Sequence, residues 1–333
     1  MKKIAVLTSG GDAPGMNACI RAAVRFGLSK NMEMYGVMRG YEGLLKGDIF
    51  RMFRHSVTDI IQRGGTILKT ARSERFFDEE GRKEARDRLA ALGIEGLVVI
   101  GGDGSFNGAA KLACETDIKV ACIPGTIDND LNYTDYTLGF DTAVNTVLNA
   151  VNNIRDTMSS HDRACIVEVM GRSCGDIALF SAIGGGADAV GHGADAALGA
   201  DAVVTPEKGL DLDALAAQLK QGEKLGKSSN IILLSEGVCS AQSLKEQLAA
   251  VTDMTLRTVT LGHVQRGGSP SLRDRLLAAR FGVKAIECLI AGKKAVAVGV
   301  RNEEIVADDL QKALAYPAAD RSELFKVCEI LCR

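Results

Sequence analysis

The sequence contains no tryptophan, only five prolines and four histidines, and aromatic residues make up just 5% of it. So little proline excludes a collagen-like repeat or a proline-rich linker, although the chain carries 37 glycines. Glycine without proline, in a composition 46% hydrophobic and 25% charged, suits tight strand-to-helix turns where backbone must approach a ligand. An excess of one charge is missing too. With a formal net charge of −2, no global field recruits nucleic acid or an acidic membrane, and an anionic ligand has to be met by locally gathered arginines. No apolar stretch approaches a membrane span. The Ile4–Leu7 run after Met1-Lys2-Lys3 falls short of the ~7–15 apolar residues a secretory signal needs. The nine cysteines include no CxxC pair and read as reduced, mostly buried thiols of a cytoplasmic protein. His55, His161 and His192 show no metal-ligand spacing.

At 333 residues the chain is long for one core and sufficient for two, since domains usually run to roughly 100–200 residues. Short apolar runs recur at Ile4–Leu7, Leu97–Ile100, Val120–Ile123, Cys165–Val169, Ile231–Leu234 and Ala295–Val300. Each is continuous rather than alternating, which indicates parallel strands covered on both faces. Helical patterns lie between them at Asn17–Lys30, Lys83–Leu92, Phe106–Cys114, Asp141–Thr157, Leu212–Leu225 and Asp274–Ala291. This alternation predicts two doubly wound α/β domains with mostly parallel sheets, whose ligands sit at the carboxyl ends of the strands. One segment stands apart: Gly-Ala-Asp-Ala starts at Gly186, Gly193 and Gly199, a spacing too short for a solenoid and read as a local insertion near 187–200.

The first apolar run opens into Thr8-Ser9-Gly10-Gly11-Asp12-Ala13-Pro14-Gly15-Met16-Asn17. Its glycines let backbone N–H groups face a phosphate, Pro14 suits a first helical turn, and the following helix points its positive end at an anion. A plain strand-to-helix turn explains the pattern equally well, and no Walker-type GxxxxGK[ST] loop is present. A second such turn, Gly101-Gly102-Asp103-Gly104-Ser105, adds a carboxylate able to hold Mg²⁺; Ser105 there reads as a helix N-cap. Pro124-Gly125-Thr126-Ile127-Asp128-Asn129-Asp130 places two carboxylates two residues apart at a strand end. Phosphoryl transfer uses such a pair, one to accept the attacking hydroxyl's proton and one to face the metal. An Asx-rich turn is the structural alternative. Arg72, Arg163, Arg172, Arg257 and Arg266, the last shortly after His263, are candidates for phosphate, which the planar guanidinium fits.

In the order SGGDAPGMN, GGDGS, PGTIDND, SSHDR, EVMGR and LGHVQRGGSP, these motifs make the chain resemble the bacterial ATP-dependent 6-phosphofructokinase family over nearly its whole length. GGDG alone is shared with NAD and lipid kinases, which lack TIDND together with HVQRGG. The resemblance implies an ATP-binding domain over 1–139 plus 265–315 and a fructose 6-phosphate-binding domain over 140–264 plus 316–333. It implies that Gly11, Tyr41, Arg72, Ser73, Gly102, Asp103, Gly104, Ser105 and Gly108 bind Mg-ATP, with Asp103 and Asp130 serving Mg²⁺. Asp128 would be the general base, and Arg72, Thr126 and Arg172 would stabilise the transferring phosphoryl group. Thr126, Ile127, Asp128, Met170, Gly171, Arg172 and Glu236 would contact the sugar. His263 and Arg266 would hold its 6-phosphate, joined by Arg163 and Arg257 of a neighbouring subunit. Shared sites imply a homo-oligomer, in this family usually a homotetramer.

The same resemblance speaks to donor and regulation. Pyrophosphate-using relatives carry Asp and Lys where this chain has Gly104 and Gly125, so ATP is the expected donor. A pyrophosphate-dependent enzyme is the alternative; a silent regulatory subunit is another, opposed by the presence of Asp128 and Arg172. Arg21, Arg25, Arg54, Asp59, Arg155, Asp201 and Lys227 resemble the family's effector pocket for ADP or phosphoenolpyruvate. Two departures weaken that match: Leu225 replaces a second lysine, and Asp201 stands for the family's metal-binding glutamate.

Overall fold

Ile4, Ala5, Val6 and Leu7 have no solvent exposure, and neither have Leu97, Val98, Val99, Ile100, Val120, Ala121, Cys122 and Ile123. Runs with no wet face belong to central parallel strands covered by helices. The structure, a computed structural model, describes residues 1–160, 164–185, 202–224 and 230–331. His161, Arg163, His192, Asp201, Leu225, Lys227 and the 187–200 insertion lie outside the described residues.

In chain order the structure runs β1 (Lys3–Thr8), α1 (Met16–Ser29), β2 (Glu33–Val37), α2 (Gly40–Lys46), β3 (Ile49–Met52), α3 (Glu79–Ala91), β4 (Gly96–Gly101), α4 (Asp103–Glu115), β5 (Lys119–Thr126), β6 (Leu138–Gly139) and α5 (Phe140–Ser159). There follow β7 (Ala164–Val169), α6 (Asp176–Gly184), β8 (Ala202–Val204), α7 (Leu212–Lys224), β9 (Asn230–Ser235), α8 (Ala241–Ala249) and β10 (Leu256–Thr260). The chain ends with α9 (Leu272–Ile290), β11 (Ala295–Arg301), β12 (Glu304–Asp309), α10 (Leu310–Leu314) and α11 (Ser322–Leu331). Short 3-10 turns stand at Arg54–Val57, Arg75–Phe77 and Gly262–Arg266. These elements form two compact units, Met1–Thr142 with Arg266–Ala318, and Ala143–Gln265 with Ala319–Arg333.

The sheet of the first unit has the order β12-β11-β5-β4-β1-β2-β3, with β6 paired to β5. It is parallel except at its two edges, where β2 pairs antiparallel with β3 and β11 with β12. Ala5, Leu7, Leu97, Val99, Val120 and Cys122 join one buried cluster with residues of α2, α3 and α4. Strand alternation turns the intervening residues to the opposite face, where α1 and α9 pack against each other. The chain leaves β1 toward β2 on one side and returns on the other as β4, so the crevice between β1 and β4 is a topological switch point. The second unit holds an all-parallel sheet of order β10-β7-β9-β8. Two mostly parallel α/β sheets are thus what the apolar runs predicted.

Two helix starts differ from the sequence reading. α4 begins at Asp103 with Gly102 as its N-cap, because the Phe106 N–H already reaches the Gly102 carbonyl at 3.1 Å. Ser105 is therefore buried inside the first turn and is not the cap. Pro14 precedes helix α1, whose N-cap is Gly15 at φ 102, a left-handed conformation that keeps the helix from starting at the proline. Five of the eight described cysteines are buried. Burial pushes the Cys165 thiol up to about 11, so it stays protonated and acts as a packing group. No described helix is long and apolar enough to cross a membrane.

The amino ends of α5 and α9 cap one another. Asp274 is wholly buried and accepts from the Gly139 N–H at 2.8 Å, the Thr142 N–H at 2.9 Å and the Thr142 hydroxyl. Ser271, the N-cap of α9, accepts from the Asp274 N–H at 3.2 Å and donates to Asp141 at 2.5 Å. Burial raises the Asp274 carboxyl to about 6, its three donors opposing the shift and neighbouring Asp141 adding to it. A carboxyl whose folded pKa exceeds its unfolded one makes the native state bind the extra proton, so its stability contribution is full at low pH and is lost as pH rises through about 4 to 6. Compared with Asp274→Asn, the parent protein should lose roughly 2–3 kcal/mol of relative stability between pH 4 and pH 7, read from denaturant midpoints. A stability difference that stays flat over this range contradicts the raised pKa.

Candidate active site

Both glycine turns of the first unit emerge at its switch point. The Ser9 N–H donates to the Ile100 carbonyl at 3.0 Å, carrying the β1–β4 pairing into the loop, and Gly10 follows at φ 85. A Cβ on Gly11 would run into the guanidinium of Arg266, whose Nη1 donates to the Asp12 carbonyl at 3.3 Å. Arg266 therefore lies against the first glycine turn. Across the crevice, Asp103 is exposed at the start of α4, its Oδ2 accepting from Asn107 at 3.0 Å. A Cβ added at Gly104 would meet nothing within 4 Å. Gly104 therefore has open space beside the crevice, and packing does not demand a glycine there.

One wall is built on an aromatic stack. The Tyr41 and Phe76 rings lie 3.9 Å apart at an interplanar angle of 15°, and a Cβ on Gly108 would press on both, at 3.1 and 3.2 Å. The Tyr41 hydroxyl donates to the Ser105 carbonyl at 2.6 Å, tying α2 to the first turn of α4. Burial raises this phenol well above its ordinary value, which keeps it a donor. Ser73 donates to Glu42 at 2.9 Å; the Lys46 ammonium and then this hydroxyl hold the Glu42 carboxyl below its ordinary value. Buried Asn17 anchors the preceding segment, donating to the Arg63 and Gly64 carbonyls at 3.0 and 3.1 Å and accepting from the Ile67 N–H at 2.7 Å. Arg72 stands exposed between these tethers.

The acidic turn leaves the carboxyl end of β5, next to β4 in the sheet. Thr126 Oγ1 accepts from the Asp128 N–H at 3.2 Å, a turn in which a hydroxyl fixes the backbone two residues on. Asn129, absent from the sequence-derived candidates, is 2% exposed and sits at φ 55, a conformation asparagine tolerates. It donates to the Asp135 carbonyl at 3.3 Å and accepts from the Thr137 N–H at 3.0 Å. Its side chain fills the inside of the turn, while Asp128 and Asp130 on either side stay half-buried. Ile127 is wholly buried and acts as an anchor. At Gly125 a Cβ would meet Ile100 Cγ2 at 2.9 Å and Met16 Cε at 3.0 Å. Packing accounts for that glycine, so the structural argument about the donor rests on Gly104.

In the second unit, Met170-Gly171-Arg172 follow β7, Glu236 follows β9 and His263 follows β10, so they emerge from the carboxyl ends of three neighbouring strands. Arg172, Glu236 and His263 are exposed. Gly171 adopts φ 132, and its carbonyl accepts from the Gly237 N–H at 3.3 Å. Glu207 accepts from the Gly175 N–H at 2.7 Å, and Asp176, buried at the start of α6, takes a bidentate pair of bonds from Arg321 at 2.9 and 2.6 Å. These braces set the loop that carries Arg172. Arg257 does not join this group: it is the second residue of β10 and exposed, toward the opposite end of the strand from His263.

Of the expected effector residues, Arg21 and Arg25 lie four apart on α1 and are half-buried. Exposed Arg54 belongs to a turn packed on the same helix, and exposed Asp59 follows at φ 54. Arg155, in the second unit, donates to the Gly185 carbonyl at 3.1 Å.

Glycine turns at a sheet switch point, with an acidic turn on the adjoining strand, belong to α/β phosphotransferases that cradle phosphates in backbone. The chain belongs to the phosphofructokinase family: the family model described as Phosphofructokinase matches residues 3–289. It is 54% identical, over 99% of both chains, to the ATP-dependent 6-phosphofructokinase of Clostridium novyi (strain NT). Identity to the protein of that name from Clostridium botulinum (strain Loch Maree / Type A3) is 52% over the full length of both. Among solved structures, the phosphofructokinase of Saccharomyces cerevisiae superposes with a TM-score of 0.85 at 34% identity, covering 95% of this chain and 45% of that longer one.

Proposed function

We propose that this chain transfers the γ-phosphoryl group of Mg-ATP to the 1-hydroxyl of D-fructose 6-phosphate, forming fructose 1,6-bisphosphate and ADP in the committed step of glycolysis. The observation that carries this reading is the Thr126–Asp130 turn, held by Asn129 at the end of β5 beside the Gly101–Gly104 turn of β4. That neighbourhood puts a half-buried carboxylate next to a backbone cradle for phosphates. The names carried by relatives at 52% and 54% identity support ATP as donor and the sugar phosphate as acceptor.

In this reading the triphosphate lies along Gly11, Gly102, Asp103, Gly104 and Ser105, with the nucleoside beside Tyr41, Ser73 and Gly108. Asp128 takes the proton of the sugar's 1-hydroxyl as the oxygen attacks. Arg72, Thr126 and Arg172 carry the charge that develops on the transferring group, the term that dominates where little covalent chemistry is needed. Among the described residues no group of three or more His, Cys, Asp and Glu is gathered to hold a metal. Two carboxylates, Asp103 and Asp130, suit Mg²⁺ arriving on the nucleotide, since this ion keeps most of its ligands as phosphate oxygens and water. Met170, Gly171, Arg172 and Glu236 take the sugar. His263 and Arg266 hold the 6-phosphate, and Arg163 and Arg257 serve the site of a neighbouring subunit in a cytoplasmic homotetramer. Arg21, Arg25, Arg54, Asp59, Arg155, Asp201 and Lys227 form an anion pocket for ADP or phosphoenolpyruvate, weakened because Leu225 offers no donor.

Asp128→Ser should fold and retain substrate binding but lose about 10²–10⁴-fold in kcat, the usual contribution of a positioned base. A kcat near that of the parent would remove Asp128 from that role. Gly104→Asp tests the donor. Open space at position 104 and a carboxylate at a helix start should leave the melting temperature nearly unchanged. Repulsion of the donor phosphates should raise the KM for ATP by roughly tenfold or more, with the KM for fructose 6-phosphate little altered. Normal use of ATP by this variant would refute the donor assignment.

A further inference from the structure

We propose that Gln265 is a positioning residue for the sugar phosphate: its buried side-chain amide bridges the loop after β7 to the turn after β10 and sets the spacing of the groups on both. The proposal rests on the substrate assignment made above and adds a residue to it. Gln265 has no solvent exposure. Its Oε1 accepts from the Met170 N–H at 3.1 Å, and its Nε2 donates to the Gly262 carbonyl at 3.0 Å. Gln265 is the one buried residue of the Gly262–Arg266 turn, while its neighbours His263 and Val264 are exposed. The amide is thus the inward anchor of a turn whose His263 and Val264 side chains are exposed.

The place matters as much as the bonds. β7 and β10 are paired as far as Glu168 and Thr260, and the Leu261 N–H still reaches the Glu168 carbonyl at 3.0 Å. Beyond that the two strands end, at the carboxyl edge where a sheet of this kind receives its ligand. Gln265 continues the ladder with a side chain: it supplies the acceptor for Met170 that a further strand residue would have supplied. Met170 is 9% exposed, so its N–H would be left without a partner in a nearly dry place if the amide were lost, and a buried orphan donor makes the loop rearrange. The next two residues are Gly171, at φ 132, and Arg172. A shift at Met170 therefore passes directly to the guanidinium, and a shift at Gly262 passes to His263.

An amide is also the side chain that this geometry requires. Methionine, of similar length, offers neither bond. An ionised glutamate accepts from Met170 but faces the Gly262 carbonyl with a second acceptor. A protonated glutamate does both jobs, and burial favours that form.

The test compares the intact parent protein with Gln265→Met and Gln265→Glu in steady-state assays with fructose 6-phosphate and Mg-ATP, alongside melting temperatures. For Gln265→Met we expect the KM for fructose 6-phosphate to rise roughly 10–100-fold, the cost of one buried hydrogen bond and its orphaned partner, while the KM for ATP changes less than about threefold. For Gln265→Glu the KM ratio to the parent should fall toward one as pH is lowered from 8.5 to 6.5, because protonation restores the missing donor. A folded Gln265→Met with parent-like KM for the sugar, or with both KM values raised in step, overturns the proposal. If Gln265→Met does not fold, a pH-independent ratio in Gln265→Glu overturns it instead. Absence of turnover in the parent would reject the substrate assignment, an outcome separate from a normal parent with unaffected variants.

Discussion

A strand covered on both faces by helices has no side on which to show a polar group. In this protein the central strands of both sheets are in that position, with β1, β4 and β5 dry along nearly their whole length. Chemistry is thereby confined to the strand ends, and in a parallel sheet all the carboxyl ends open on one edge. Six of the candidate segments follow that constraint. Gly10-Gly11, Gly101–Gly104 and Thr126–Asp130 end three adjacent strands of the first sheet, and Met170–Arg172, Glu236 and His263 end three adjacent strands of the second.

Strand ends alone would be loose, and buried polar side chains hold them. Asn129 fastens the acidic turn from inside, Asn17 fastens the segment leading to Arg72, and the Tyr41 hydroxyl fastens the first turn of α4. In the second unit half-buried Arg321 and exposed Glu207 brace the loop that carries Arg172 from outside, and buried Gln265 holds it from inside. Each buried group among these has its hydrogen bonds made inside the protein, which is what lets a polar atom sit in a dry place without heavy cost. Of the residues assigned to ligands, Arg72, Asp103, Arg172, Glu236 and His263 are exposed, and Asp128 and Asp130 are half-buried.

Central strands were legible in the sequence because a two-face-buried strand needs an uninterrupted apolar run, and the expected runs lie inside β1, β4, β5, β7, β9 and β11. The edge strands β3 and β12, and β2 beside β3, were not: they have mixed exposure. The glycine-rich and acidic motifs were legible as turns at strand ends, and the residues alone fitted a plain strand-to-helix or Asx-rich turn equally well. Anchors such as Gln265 were hidden. Between valine and arginine it reads as surface, and its partner Met170 is 95 residues away. Helix starts were misjudged at Pro14 and Ser105 because the actual caps are glycines, whose backbone freedom leaves no side-chain signal. Gly125 and Gly104 show the same ambiguity. Both look like space left for a ligand, yet Gly125 is required by Ile100 and Met16 while Gly104 opens to empty space.

The central claim is that this arrangement moves a phosphoryl group from ATP to fructose 6-phosphate, and the most direct measurement is product formation by the purified protein. Fructose 6-phosphate and Mg²⁺ are supplied with either ATP or pyrophosphate, and fructose 1,6-bisphosphate is followed. The result expected is rapid, stoichiometric formation of product and ADP with ATP, and background rates with pyrophosphate. Turnover with pyrophosphate at or above the ATP rate, or no product with either donor, would contradict it.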